Sequence, residues 1–314
     1  MNHHCHPSHF RITCAERVLD LREGAKIMGI VNTTPDSFYD GGALQGKAGR
    51  IDVERALEQA MAMVREGAAI VDVGGESSRP GAEKISAAAE IERTAPLIAR
   101  LRQCSDVLIS IDTYKAEVAE AALKAGADMV NDISGFTFDR ELPAMCRKYQ
   151  APVVLMHTPV APEAMQWSTA THSGNDNIIA RVSRFLANSI AIAETHAIEN
   201  IIIDPGFGFG KSVAENFQLL RELHLLHELG RPILVGVSRK SFLGHAITQS
   251  DGEIPPPAER LAATIAAQSV ALQQGAVILR VHDVPAAMQC LRVMENIHDL
   301  RSLNPHRSDV SFKN

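Results

Sequence analysis

The sequence predicts an eight-stranded α/β barrel, and three observations carry that prediction. Eight times, a short apolar, β-branched run ends in a polar or charged residue. The runs are IMGIVN to Asn32, AAIVDVGGE to Asp72 and Glu76, VLISID to Asp112, and MVND to Asn131 and Asp132. They continue as VVLMH to His157, IIID to Asp204, ILVGVSRK to Lys240, and VILRVHD to Arg280, His282 and Asp283. Helical patterns lie between the runs. The composition is 46% hydrophobic but only 4% aromatic, which suits strands buried on both faces by surrounding helices. Eight such units form a single-domain (β/α)8 TIM barrel, whose strand ends gather at one rim and carry the chemistry.

Taken in order, residues 1–9, with His3, His4, His6 and His9, read as a variable leader lacking the charged-then-apolar pattern of a signal peptide. Residues 10–22 alternate enough for a small hairpin before the barrel, expected to close the bottom of the first strand. The strands are expected at 25–32, 68–74, 107–112, 129–134, 152–157, 201–205, 233–238 and 277–282. The first helix, at 52–66, has Ala56, Leu57, Ala60 and Val64 at helical spacing. Further helices are expected at 87–103, 115–125, 139–149, 175–197, 214–228, 258–274 and 285–301. Gly126 is a natural stop for the third. Long connections follow the first, second and fifth strands, and long loops in compact domains are commonly functional. The barrel domain is expected over 10–302, with no low-complexity linker dividing it, and 303–314 as a tail.

Several classes are excluded. The net charge is −6 and no basic run is long enough to track a nucleic-acid backbone. No apolar stretch reaches the roughly 18–20 residues of a membrane span. Five scattered cysteines form neither metal-ligand spacing nor a disulfide framework, so the cytoplasm is the expected compartment.

Asp112, Asn131 and Asp204 end strands at one rim. Buried carboxylates cost several kcal/mol unless they meet donors. Two carboxylates and an amide that converge match a flat heterocycle offering N–H donors, such as the guanidine-like edge of a pterin or purine. Lys240 at the mouth can hold a phosphate or a ring carbonyl. Arg280 and His282 share one face of the eighth strand, near the phosphate site such barrels build after strands 7 and 8; the bland alternative is an Arg280–Asp283 ion pair. Asn32 can coordinate Mg²⁺ through its amide oxygen or hold an anion through its NH₂. The GFGFGKS segment at 206–212 fails as a phosphate-binding P-loop, because Pro205 stands where the first glycine is needed. Gly75 and Gly81 are expected to permit unusual backbone angles. Asp72, Asp132 and His157 read as structural.

Eight segments resemble the dihydropteroate synthase family, in that family's order: MGIVNTTPDSFYDGG, VDVGGESSRPGA, ISIDTYK, GADMVNDISG, VVLMH, IIDPGFGFGK, GVSRKSFLG and RVHDV, across about 28–284. The resemblance implies an enzyme condensing 6-hydroxymethyl-7,8-dihydropterin diphosphate with p-aminobenzoate, giving 7,8-dihydropteroate and pyrophosphate in folate biosynthesis. By similarity the pterin lies on Asp112, Asn131, Ile133, Met156, Asp204, Lys240 and Arg280, and the diphosphate on Asn32, Arg280 and His282. Mg²⁺ would sit at Asn32, and p-aminobenzoate on Phe38, Ser78, Arg79, Pro80, Phe209 and Ser241. Catalysis would fall to Asp36, Asp112, Asp204 and Lys240. The family further implies a homodimer and a sulfonamide target.

Three positions depart from the pattern: Thr33 stands where an aliphatic is common, Ser78 replaces a threonine, and the stretch after His157 differs. A related barrel, the methyltetrahydrofolate–corrinoid methyltransferases, needs no diphosphate site, and SRKSF, the first loop and RVHDV argue against it. A non-catalytic binding paralogue is the other alternative, and every matched polar position is filled.

Overall fold

Two short strands, β1 (Arg11–Cys14) and β2 (Arg17–Asp20), pair antiparallel before the barrel begins. In the computed structural model the described residues are 9–14, 16–34, 52–77, 82–159, 177–248 and 252–302, with side chains to 297. The leader expected at 1–9, apart from its last residue, and the tail at 303–314 lie outside them.

The repeat runs β3 (Lys26–Asn32), α1 (Val53–Arg65), β4 (Ile70–Gly74), α2 (Ala87–Cys104), β5 (Leu108–Asp112), α3 (Ala116–Ala125), β6 (Met129–Asp132) and α4 (Leu142–Lys148). It continues with β7 (Val153–Met156), α5 (Ile178–Thr195), β8 (Ile201–Asp204), α6 (Val213–Arg221), β9 (Leu234–Val235), α7 (Ser241–Ala246), α8 (Leu261–Gln273), β10 (Ile278–Val281) and α9 (Val284–Ser302). All eight barrel strands pair in parallel, in the order β8-β7-β6-β5-β4-β3-β10-β9. A single bridge, Ile203 to Ile233, closes the ring.

Local sequence explains the boundaries. Asp52 caps α1 by accepting from Arg55 N, and Ser86 caps α2 at Ala89 N. Ser212 and Glu215 form a reciprocal capping box at α6. Gly126 ends α3 in the left-handed region, as its position predicts. Elements around the seventh barrel strand differ from expectation. The seventh barrel strand keeps only Leu234–Val235, because the chain turns at Val237, whose carbonyl accepts from Lys240 N at 3.2 Å. The stretch after it, where no helix was expected, is helical as α7. The helix expected at 214–228 ends at Arg221 and continues as a 3₁₀ segment, Leu223–Leu229.

The alternation of strand side chains sorts the interior. One apolar residue from each strand fills a layer inside the barrel: Met28, Ile70, Leu108, Met129, Val154, Ile202, Leu234 and Ile278. Ile12, Cys14, Leu19 and Leu21 of the hairpin region pack onto that layer and plug its floor. Their neighbours along the strands, such as Val71, Val73, Ile109, Ile111 and Val130, pack outward with the helices.

Asp128, whose side chain is 4% exposed, locks the plug in place. It accepts from Ile109 N at 2.7 Å, from Arg17 of the hairpin at 3.3 Å, and from Arg102 of α2. Asp128→Ala leaves Arg102 without its carboxylate in a half-buried position. We expect a loss of about 2–3 kcal/mol, lowering Tm by roughly 3–5 °C in calorimetry. An unchanged Tm would show that the apolar plug alone holds the hairpin.

Candidate active site

Two residues beyond five members of the apolar layer, the same inward face carries Asp72, Asn131, Met156, Asp204 and Arg280. A buried polar layer therefore rests directly on an apolar floor. Arg280 is its centre. Its Nε donates to Asp72 Oδ2 at 2.6 Å and its Nη2 to Asp112 Oδ2 at 2.6 Å. Asn131 Nδ2 donates to the same Asp72 oxygen at 3.1 Å. Asp72 Oδ1 is buried with no hydrogen-bond partner among the described residues.

Burial pushes the Asp112 carboxyl up to about 7; Arg280 and Lys240 oppose the rise, while Asp72 and Glu90 add to it. Burial would lower the Arg280 pKa, but the Asp72 and Asp112 carboxylates outweigh it and hold the guanidinium charged. Asp204 is also raised by burial, against Gly206 N–H donation and the charges of Lys240 and Arg280.

Asp204 is held by the turn that follows it. Gly206 N donates to Asp204 Oδ1 at 2.7 Å. Gly206 has φ of 69°, and a Cβ there would lie 2.1 Å from the His157 carbonyl oxygen, so only glycine fits. Lys211, singled out in the failed P-loop motif, points inward. Its ammonium donates to the carbonyls of Gly206 at 2.6 Å, Phe209 at 3.1 Å and His157 at 3.4 Å. Burial pulls its pKa down to about 7. This clamp fixes Phe209, which packs with Tyr114, Ile133 and Met156. The Lys240 ammonium stands 4.0 Å from the Phe209 ring centroid.

His282 lies on the other side of the mouth. Its Nδ1 is 3.0 Å from Ser238 Oγ, which also accepts the His282 backbone N–H at 3.2 Å. Asp283 pairs with Arg239 through both carboxylate oxygens. The alternative Arg280–Asp283 pair is thus corrected: alternation turns Arg280 into the barrel, where Asp72 and Asp112 meet it. Asn32 Oδ1 and Asp112 Oδ2 each lie 3.6 Å from where a Cβ on Gly74 would stand. Two hard oxygen donors thus border one gap that glycine leaves open. Thr33, the departure noted above, donates its hydroxyl to the Gly74 carbonyl at 3.0 Å and stitches two strand ends together. Ser241 opens α7, directly after Lys240.

The root of the second loop is pinned by Lys115. Its ammonium bonds Glu90 at 2.7 Å and the Ile85 carbonyl at 2.8 Å, and lies 3.2 Å from Glu76. A pocket beside it is lined by Glu76, Glu90, Asp112, Thr113, Tyr114 and Ile133. Gly75 is needed for space rather than for an unusual angle. A Cβ there would sit 2.8 Å from Thr94 Cγ2, and its φ is not in the left-handed region.

The structure therefore brings together Asp112, Asn131, Asp204, Lys240 and Arg280, with Ile133, Met156 and Phe209 as walls. Asp36, Phe38, Ser78, Arg79, Pro80 and Gly81 lie outside the described residues. Asp132 and His157 face away: Asp132 accepts Ser134 N and Phe136 N, and His157 packs edge-on against Phe185 of α5. Asp72, read from sequence as structural, is a support inside the central polar layer, where it accepts from Arg280 and Asn131. Its parity with Ile70 and Gly74 could have revealed this. Ser238 and Lys115 carried no signal beyond their place next to strand ends.

An apolar-floored barrel with this polar layer is the architecture of a pterin-binding enzyme. The family described as pterin binding enzyme matches residues 28–282, and the chain belongs to it. A dihydropteroate synthase from Synechocystis is 45% identical over 89% of this chain and 92% of its own length. The solved dihydropteroate synthase of Xanthomonas albilineans with 4-aminobenzoic acid is 40% identical, covering 94% of this chain and 99% of that one, with a TM-score of 0.80. The Yersinia pestis dihydropteroate synthase in a sulfonamide drug complex has a TM-score of 0.83 at 36% identity, covering 92% of this chain and all of that one. Within its family the chain thus stands among the dihydropteroate synthases, enzymes of folate biosynthesis.

The Asp112 shift has a stability consequence. Its folded pKa, about 7, lies above its ordinary 3.8, so its contribution to stability is full below 3.8 and lost as pH rises through about 7. Asp112→Asn abolishes that loss. Between pH 5 and 8 the stability of the native protein relative to Asp112→Asn should fall by about 2–3 kcal/mol in urea unfolding. A pH-independent difference would mean that Asp112 is already ionised at pH 5.

Proposed function

We propose that this polar layer reads the pterin ring of 6-hydroxymethyl-7,8-dihydropterin diphosphate and that the chain joins its methylene carbon to p-aminobenzoate. The observation that carries this assignment is the Asp72–Arg280–Asp112 bridge beside Asn131 and Asp204, over an apolar floor. A flat ring with N–H donors on one edge and a carbonyl on another satisfies such a set. Asp112, Asn131 and Asp204 take the donor edge, and Lys240 donates to the acceptor side. Ile133 and Met156 wall the ring, and Arg280 offers its guanidinium plane to the ring face.

The diphosphate lies on Asn32, Arg280 and His282. As the C–O bond to the diphosphate breaks, these donors meet the growing negative charge. The carbon left behind is cationic and shares its charge with the ring, where Asp112 and Asp204 stabilise it; Asp36 on the first loop assists. The aryl amine then attacks that carbon and loses a proton, giving 7,8-dihydropteroate and pyrophosphate. Water must be excluded meanwhile, or it would capture the cation. Phe209 and Ser241, with Phe38, Ser78, Arg79 and Pro80, hold the p-aminobenzoate.

The donor chemistry around Gly74 fits Mg²⁺, a cation that takes oxygen ligands and binds through few protein groups plus substrate phosphates. Asn32 Oδ1 would hold it, next to Asp112. When bound, the ion adds positive charge against the diphosphate.

The test is pyrophosphate release from the pterin diphosphate, p-aminobenzoate and Mg²⁺, with a sulfonamide expected to compete with p-aminobenzoate. Lys240→Ala should weaken ring binding by about 1.5–3 kcal/mol, roughly 10–150-fold in titration calorimetry. Turnover of methyltetrahydrofolate instead, or wild-type ring affinity in Lys240→Ala, would reject the assignment.

A homodimer is supported by the exposed apolar residues Leu261 and Val270 on α8 and Val293 and Ile297 on α9, two helices that pack together. Sedimentation velocity at micromolar concentration should give twice the monomer mass, and a monomer would reject it. A cytoplasmic location is supported by the unpaired thiols of Cys14, Cys104, Cys146 and Cys290. Among the described residues no helix is long and apolar enough to cross a membrane.

A further inference from the structure

We propose that Arg239 is a positioning residue that fixes the anion-binding side of the mouth by cross-linking the loop after β9 to the end of β10. The proposal rests on the assignment of the diphosphate to His282.

The β9–β10 ladder is short. It pairs Leu234 with Ile278 and Val235 with Leu279, and ends there. Beyond it, two consecutive side-chain rungs take over. Ser238 Oγ holds His282 at both Nδ1 and the backbone N–H. Arg239 grips Asp283, with Nε at 2.7 Å from Oδ2 and Nη2 on Oδ1. An arginine–carboxylate fork of this kind adds orientation as well as energy. The residues on either side of Arg239 are Ser238, which holds His282, and Lys240, whose ammonium stands over Phe209.

The backbone at Arg239 is strained. Its φ is 58°, in the left-handed region that glycine occupies freely and arginine does not. The neighbouring structure holds it there. Arg239 N donates to Thr264 Oγ1 of α8 at 2.9 Å, and its carbonyl accepts from Arg260 Nη1 at 3.0 Å. Thr264 is 1% exposed and Arg260 9%. The turn needs a left-handed residue, while the rung needs a guanidinium. Glycine would meet only the first need, and a residue with ordinary backbone angles would meet only the second. Arginine at this position meets both, at the cost of strain.

The test separates the two roles. Arg239→Gly keeps the left-handed turn and removes the side chain. Asp283→Asn removes the partner charge from the opposite side, and it gives the same reading should Arg239→Gly not fold. In each, the Kd for inorganic pyrophosphate with Mg²⁺ should rise tenfold or more, with the Kd for unphosphorylated 6-hydroxymethylpterin within twofold of wild type. The double variant should be no worse than the weaker single variant, because both remove one contact. Wild-type pyrophosphate affinity in both variants overturns the proposal. So does equal weakening of ring and pyrophosphate binding, which marks general loosening. An unchanged pyrophosphate affinity in His282→Ala rejects the diphosphate assignment instead. The rung is then read from the imidazole ¹⁵N resonances of His282: a shift in Arg239→Gly supports it, and wild-type positions overturn it.

Discussion

Arg280, held between Asp72 and Asp112, is the interaction on which the mouth of this barrel depends. Three charges leave bulk water together at that point, an arrangement that costs several kcal/mol per ion before their attraction is counted. It persists because each partner satisfies the others. Arg280 spreads its fork over two strands, and Asp72 accepts from Arg280 and Asn131 together. Asp112 remains incompletely compensated, so its carboxyl titrates far above the usual range. A site left in that condition is prepared for a ligand that brings further donors, since unpaired polar capacity in a low-dielectric setting makes each new hydrogen bond stronger.

The apolar floor sets the depth at which this happens. One side chain from each strand, plugged by the N-terminal hairpin, excludes water from below. The polar layer is therefore closed from below. The residues that shape the mouth are fixed by contacts no ligand makes. Lys211 gathers three carbonyls and sets Phe209, Lys115 pins the root of the second loop, and the Ser238–His282 and Arg239–Asp283 rungs join the last two strands. A charged group buried to hold backbone carbonyls, as Lys211 is, stabilises a turn that glycines alone would leave with many conformations.

Much of this was legible along the chain. The eight polar-ended runs placed every barrel strand to within a few residues, and the hairpin and the Gly126 stop stand where the pattern put them. The residues brought together at the mouth are largely the strand ends that the pattern named. Where expectation and structure part, the cause lies in contacts between distant segments. The seventh strand stops at Val235 because a turn begins at Val237, and Asp283 turns to Arg239 because Arg280 is already engaged.

Asp72 shows the boundary most clearly. Its parity with Ile70 marks the face it shares, but only the closed ring sets its carboxylate against an arginine 208 residues further on. The sequence by itself determined which residues are apolar, which face of each strand they share, and which polar groups end the strands, because a period of two is a local property. The tertiary structure alone decided which of those ends meet, which carboxylate each cation takes and how far each pKa moves. Those depend on barrel closure and on burial, which no single segment contains.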